Sequence, residues 1–193
     1  MNRQKVMLAI AAGVLMTSAF AVPSVKAHRK SPEFTIIETS GKQTLLSSLQ
    51  GKVVLIEFLW TNCPHCQRAS RTITKLHQEL GARGFQPFGI ALNPNVSGPM
   101  VTDFVRRFEP SYPIGCSTPE AVDSYLGRAV MERLLVPHIV VIDRKGVIRA
   151  QSAAKGDPNL EDENYLRTLL EALLKDGASI VLPLGQKTPA ARP

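Results

Sequence analysis

The chain has 193 residues with 44% hydrophobic and 20% charged side chains, which suits one ordinary domain and excludes wholesale disorder or a fibrous repeat. Three cysteines are too few for a disulfide scaffold, and a chain of this length buries a core without one, so a cysteine pair is free to serve chemistry. The formal net charge is +7, of which Arg3, Lys5 and Lys26 supply three. The remaining excess is scattered, the longest basic run is His28-Arg29-Lys30, and aromatics are only 6%. No nucleic-acid partner is expected.

The first 27 residues read as an address. Met1 to Lys5 is short and basic, Val6 to Val22 is almost entirely apolar, and small residues follow in Ala19-Phe20-Ala21 and Val25-Lys26-Ala27. This is the order of a secretory signal peptide. An uncleaved anchor is the alternative, since Val6 to Val22 is near the lower limit of roughly 17 residues for spanning a bilayer; membrane contact would then run through this segment alone. No cysteine stands near the cleavage sites to accept a lipid. Either way an extracytoplasmic location is expected, in a bacterial periplasm, secreted or held at the membrane, where disulfides persist.

Phe34 to Ile37 reads as a short strand before a turn at Ser40-Gly41-Lys42, and Leu45, Leu46 and Leu49 fit one face of a helical turn ended by Gly51. Val53 to Leu59 is nearly continuous in apolar residues, the mark of a strand buried on both faces. Cys66, Ala69, Ile73, Leu76 and Leu80 form a helix stripe stopped by Gly81 and Gly84, and Phe85 to Leu92 completes a β-α-β unit. Met100 to Phe108 predicts a helix, Tyr112 to Cys116 a short extended piece, and Thr118-Pro119 opens a helix to about Leu126. Pro137 to Asp143 and Val147 to Gln151 are strands joined by a hairpin turn. Leu160, Tyr165, Leu166, Leu169, Leu170, Leu173 and Leu174 are the stripe of one final helix ended by Gly177, with a loose tail over 177–193.

Trp60-Thr61-Asn62-Cys63-Pro64-His65-Cys66 sits where the buried strand hands over to the helix. At the helix N-terminus, unpaired N–H groups and the macrodipole favour an anion, so Cys63 is the expected nucleophile. Cys66 is one turn on, close enough to close a disulfide, and Pro64 falls in the first turn, where its missing N–H costs nothing. A C-x-x-C is also half of a zinc site, but only Cys116, His77 and His138 are left as distant ligands, so no metal cofactor is expected. A purely structural disulfide would not explain the strand–helix junction with a tryptophan before it.

These residues, with Lys52 to Leu59 before them and Val136-Pro137-His138-Ile139-Val140-Val141-Ile142-Asp143 and Lys145-Gly146-Val147-Ile148 after, resemble the thioredoxin superfamily, and within it the exported TlpA-like, cytochrome-c-maturation-type branch. The resemblance implies an α/β thioredoxin-like fold over 31–176: a central mixed sheet flanked by helices, with a TlpA/peroxiredoxin-type insertion between about Asn93 and Leu135, before the strand that follows a cis Pro137. It further implies a redox-active Cys63–Cys66 disulfide with no other cofactor. The peroxiredoxin pattern, threonine three residues before the reactive cysteine, is absent, because Thr61 is only two before Cys63.

Glu57 interrupts the apolar run where thioredoxins are similar in carrying a buried acid; it reads as the proton carrier for Cys66, or as a strand residue facing an edge or solvent. His65, between the cysteines, tunes the couple by adding positive charge beside a Cys63 thiolate. Trp60 reads as a packing and docking surface, His138 as structural or approaching the site, and Cys116 as an inert thiol or an auxiliary redox group. The expected function is an exported thiol–disulfide oxidoreductase acting on protein thiols and disulfides, with a membrane electron donor or acceptor and with either direction of electron flow open. A copper carrier using Cys63, Cys66 and a histidine, and a thiol peroxidase using Cys63, are the rival readings.

Overall fold

Apolar runs bounded by turns and one long amphipathic stripe dictate the architecture. A computed structural model describes residues 28–129 and 132–175; the expected leader over 1–27 and the tail from Gly177 onward lie outside the described residues. In chain order the strands are β1 (Arg29–Lys30), β2 (Thr35–Glu38), β3 (Gln43–Leu45), β4 (Val53–Leu59), β5 (Phe85–Ala91), β6 (Ile114–Cys116), β7 (His138–Ile142) and β8 (Val147–Gln151). The helices are α1 (Pro64–Leu80), α2 (Gly98–Phe108), α3 (Pro119–Leu126), α4 (Pro158–Glu161) and α5 (Glu163–Leu174). No helix among the described residues is long and apolar enough to cross a membrane.

The eight strands form one mixed sheet in the order β1-β8-β7-β4-β5-β6-β2-β3. β4 lies inside it, parallel to β5 on one side and antiparallel to β7 on the other. All seven of its residues are buried, as a strand covered on both faces requires, and each fully buried aliphatic side chain contributes roughly 1.5–3 kcal/mol. Side chains alternate across the pleat. Val53, Leu55 and Leu59 meet Ile73 and Leu76 of α1 and Leu169 and Leu170 of α5 on one face. Val54, Ile56 and Phe58 meet Phe34 and the α3 residues Val122 and Tyr125 on the other. Glu57 therefore projects toward α1, on the face that carries the cysteines.

The α/β fold with a mixed sheet between two helical layers is as expected, and three local features, at Arg29-Lys30, Gln43–Leu45 and Asp162, differ from the sequence reading. The basic run at Arg29-Lys30 is an edge strand paired with Ile148 and Val147. Gln43–Leu45 pairs with β2 as a hairpin, which leaves Leu45 exposed, and only Leu46 to Leu49 makes the helical (3-10) turn. Gly115 permits β6 to press on β2, since a Cβ there would stand 2.1 Å from the Ile37 carbonyl oxygen. The final helical stripe breaks at Asp162, whose extended backbone ends α4 while its carboxylate accepts from the N–H of Tyr165 to begin α5. A short polar residue that satisfies the free N–H groups of a new helix wins here over continuous periodicity.

Candidate active site

The C-terminal end of β4 delivers the chain to Cys63, which caps α1 in an extended conformation with Pro64 at the first helical positions. The turn is braced from both sides. The N–H of Cys63 donates to the Trp60 carbonyl at 3.1 Å, and Gln67 Nε2 donates to the Thr61 carbonyl at 3.0 Å. From the end of β5, the buried Asn93 accepts from the N–H of Thr61 at 2.9 Å and donates to Asn62 Oδ1 at 3.1 Å. These contacts hold the loop that leads into Cys63.

The two thiols differ sharply. Cys63 is partly exposed, whereas Cys66 is wholly buried on the core stripe of α1. Both are free thiols. The Cys63 thiol also faces the carbonyl oxygen of Val136 at 3.8 Å, immediately before the cis Val136–Pro137 bond. Burial pushes the Cys66 thiol well above the ordinary thiol range; Cys63 and Glu57 add to that, and the Trp60 backbone opposes it. Burial thus favours the protonated form of Cys66.

Glu57 is fully buried on the same face. Ser70, one turn beyond Cys66, donates to its Oε2 at 2.8 Å, and the Tyr112 hydroxyl donates at 3.1 Å. Oε1 has no hydrogen-bond partner among the described residues. Burial pushes the carboxyl up to about 8, with Ser70 and Tyr112 opposing and Glu161 adding to the rise. A carboxyl at that value exchanges protons near neutral pH.

Residues 26–170 match the Redoxin family. The chain is a Redoxin-family protein. It is 33% identical over 89 residues to the thiol-disulfide oxidoreductase ResA of Halalkalibacterium halodurans, covering 46% of this chain and 49% of that one. It is 29% identical over 162 residues to the protein DipZ of Mycobacterium bovis, covering 81% of this chain and 22% of that one. The chain thus spans about half the length of that ResA and about a fifth of DipZ. Its fold is that of a thioredoxin-family thiol:disulfide interchange protein from Chlorobium tepidum, with a TM-score of 0.64 at 22% identity over 78% of this chain and 99% of that one.

In this Redoxin chain the structure brings Cys63, Cys66, Glu57 and the Pro137 loop to one end of the sheet and leaves other candidates aside. His65 is exposed, with Nδ1 3.5 Å from Glu161 Oε2. Trp60 is 39% exposed, a surface three residues before Cys63. His138 is paired with Phe58 across β4 and β7, so it projects from the opposite face of the sheet, away from the cysteines. It packs near the Phe58 ring, and neither ring nitrogen has a hydrogen-bond partner among the described residues. Burial first, then the nearby Arg128, pushes it down to about 4. Cys116 ends β6 level with Ala91, with β5 between it and β4, and lines a cavity of about 660 Å³ with Val96 and Tyr125. Among the described residues no group of three or more His, Cys, Asp or Glu could hold a metal ion.

Sequence reasoning missed Ser70, Tyr112, Asn93 and Glu161. Asn93 had one local signal, as the first residue of an Asn-Pro-Asn loop after a strand; the others look like ordinary helix and loop residues.

Proposed function

We propose that this chain is an exported thiol–disulfide oxidoreductase that exchanges disulfides with protein substrates through Cys63 and Cys66. The reading is carried by the asymmetry of the pair: a reachable sulfur at a helix N-terminus backed by a buried one over a carboxyl of raised pKa. Membership of the Redoxin family and the likeness to the thiol-disulfide oxidoreductase ResA support it.

In the reducing direction the Cys63 thiolate attacks a substrate disulfide. A Cys63–substrate bond forms, and the second substrate sulfur leaves with the electron pair of the broken bond as a thiolate. Cys66 then gives its proton to the Glu57 carboxylate and attacks Cys63. The Cys63–Cys66 disulfide forms, and the remaining substrate sulfur leaves as a thiolate that takes up a proton. Oxidation of a dithiol substrate is the same sequence reversed. Trp60 and the Val136–Pro137 segment flank Cys63 and offer the surface on which substrate chain lies. Outside the cytoplasm the couple is recharged by a membrane electron donor or acceptor, because structural disulfides accumulate there in the absence of a reducing thiol pool.

The test is a trapping experiment with a disulfide-bonded protein such as insulin. Cys66→Ser accumulates a mixed disulfide at Cys63 seen by mass spectrometry, and Cys63→Ser forms none. Wild-type protein that leaves insulin and glutathione disulfide unchanged, or Cys66→Ser that turns over hydrogen peroxide as fast as wild type, overturns the reading.

A further inference from the structure

α4 is a single turn, yet it is tightly placed. Asp157 caps it by accepting from the N–H of Asn159 at 3.0 Å. Leu160 is buried in the cluster against which Cys63 and Val136 pack. The next residue, Glu161, is thereby fixed at the mouth of the site, its Oε2 3.5 Å from Nδ1 of His65. Its charge also reaches inward, where it opposes ionisation of Glu57. One carboxylate thus contacts the imidazole at the surface and adds its field to the acid beneath.

We propose that Glu161, through its negative charge at the mouth of the site, sets the reduction potential of the Cys63–Cys66 couple toward the reducing side. The proposal rests on the oxidoreductase reading above. An exposed ion pair adds little to stability, but here the charges border a reaction in which negative charge appears and disappears. Only the reduced couple can place a thiolate at the N-terminus of α1, where the helix dipole favours negative charge. Glu161 offsets that positive field. Removing its charge stabilises the reduced form and makes the disulfide a stronger oxidant.

The experiment equilibrates the full chain with reduced and oxidised glutathione at pH 7 and low ionic strength, reading the Cys63–Cys66 disulfide by alkylation and mass spectrometry. Glu161→Gln is expected to shift the equilibrium constant about three- to tenfold toward the dithiol, roughly 14–30 mV at 29.6 mV per tenfold for two electrons. Glu161→Asp keeps the charge and stays within about twofold of wild type. In a His65→Gln background the Glu161→Gln shift keeps its direction and stays at twofold or more, because the carboxylate acts on the thiolate through space. A Glu161→Gln shift under twofold, an equal shift in Glu161→Asp, or loss of the shift without His65 each overturns the proposal while wild type still exchanges with glutathione. A wild type that does not exchange overturns the oxidoreductase reading itself, and this proposal with it.

Discussion

Ser70 and Glu57 meet 2.8 Å apart, hydroxyl to carboxylate, beneath the reactive pair. Ser70 follows Cys66 by four residues on α1, so the two share one helix face and the acid is held under the turn that carries the buried thiol. The partner hydrogen bond from Tyr112 occupies the same oxygen, which leaves Oε1 as the one available for proton exchange. Glu57→Gln is therefore expected to slow resolution of the mixed disulfide by about 10²-fold while leaving the first attack by Cys63 largely intact. Stopped-flow separation of the two steps checks this; equal slowing of both would contradict the assigned role.

The same residue makes stability depend on pH. Its folded carboxyl is raised from 4.5 to about 8, so between those values the unfolded chain releases a proton that the folded chain keeps. Stability from this group is full below about pH 4.5 and declines until about pH 8. Glu57→Gln removes that slope and should be more stable than wild type at pH 9 by roughly 2–4 kcal/mol. Denaturant melts of both proteins at pH 5 and pH 9 measure the difference.

His138 produces the opposite slope. It is held down from 6.5 to about 4 by burial and Arg128, so as pH falls through this range the unfolded chain takes a proton that the folded chain refuses. Its contribution is complete above about pH 6.5 and is lost toward pH 4. His138→Leu should gain about 2 kcal/mol over wild type at pH 5 from this cause alone, with exchange activity at pH 7 retained because the ring lies across the sheet from Cys63. Loss of activity in a folded His138→Leu protein would contradict that placement.

Reactivity of the two thiols should follow their burial. In a reduced Cys116→Ser background, iodoacetamide labels Cys63 at least about 100-fold faster than Cys66 in the folded protein, and both alike in denaturant. Peptide mass mapping reads the ratio, and comparable labelling of Cys66 in the folded state would contradict the buried position of that sulfur.

Asn93 is a support residue without chemistry of its own. Asn93→Ala leaves the N–H of Thr61 without its acceptor, a cost of about 1–3 kcal/mol, and loosens the turn that aims Cys63. Insulin reduction should fall several-fold, whereas Asn93→Asp keeps the acceptor and loses less. Urea denaturation together with the insulin assay tests both parts.

The reactive end was legible in the sequence because its pieces are local. A seven-residue apolar strand, a helix stripe and two cysteines a turn apart are all within Val53–Leu80, and their periods declare them. The acid at Glu57 showed itself as the one charge in that strand. Its partners did not, since Ser70 and Tyr112 lie 13 and 55 residues away and a serine or tyrosine looks the same whether or not it meets a carboxylate.

The sequence by itself determined the buried strand, the helix stripe and the places of Glu57, Cys63 and Cys66 along them, because each follows from short-range spacing and the need to bury apolar faces. Tertiary structure alone decided the face of His138, since β7 is buried throughout and only its register opposite Phe58 assigns each side chain to one face. It also decided the approach of Glu161 to His65. α4 reaches that place through the burial of Leu160 and the break at Asp162, and packing of this kind between distant segments leaves no period in the chain to read.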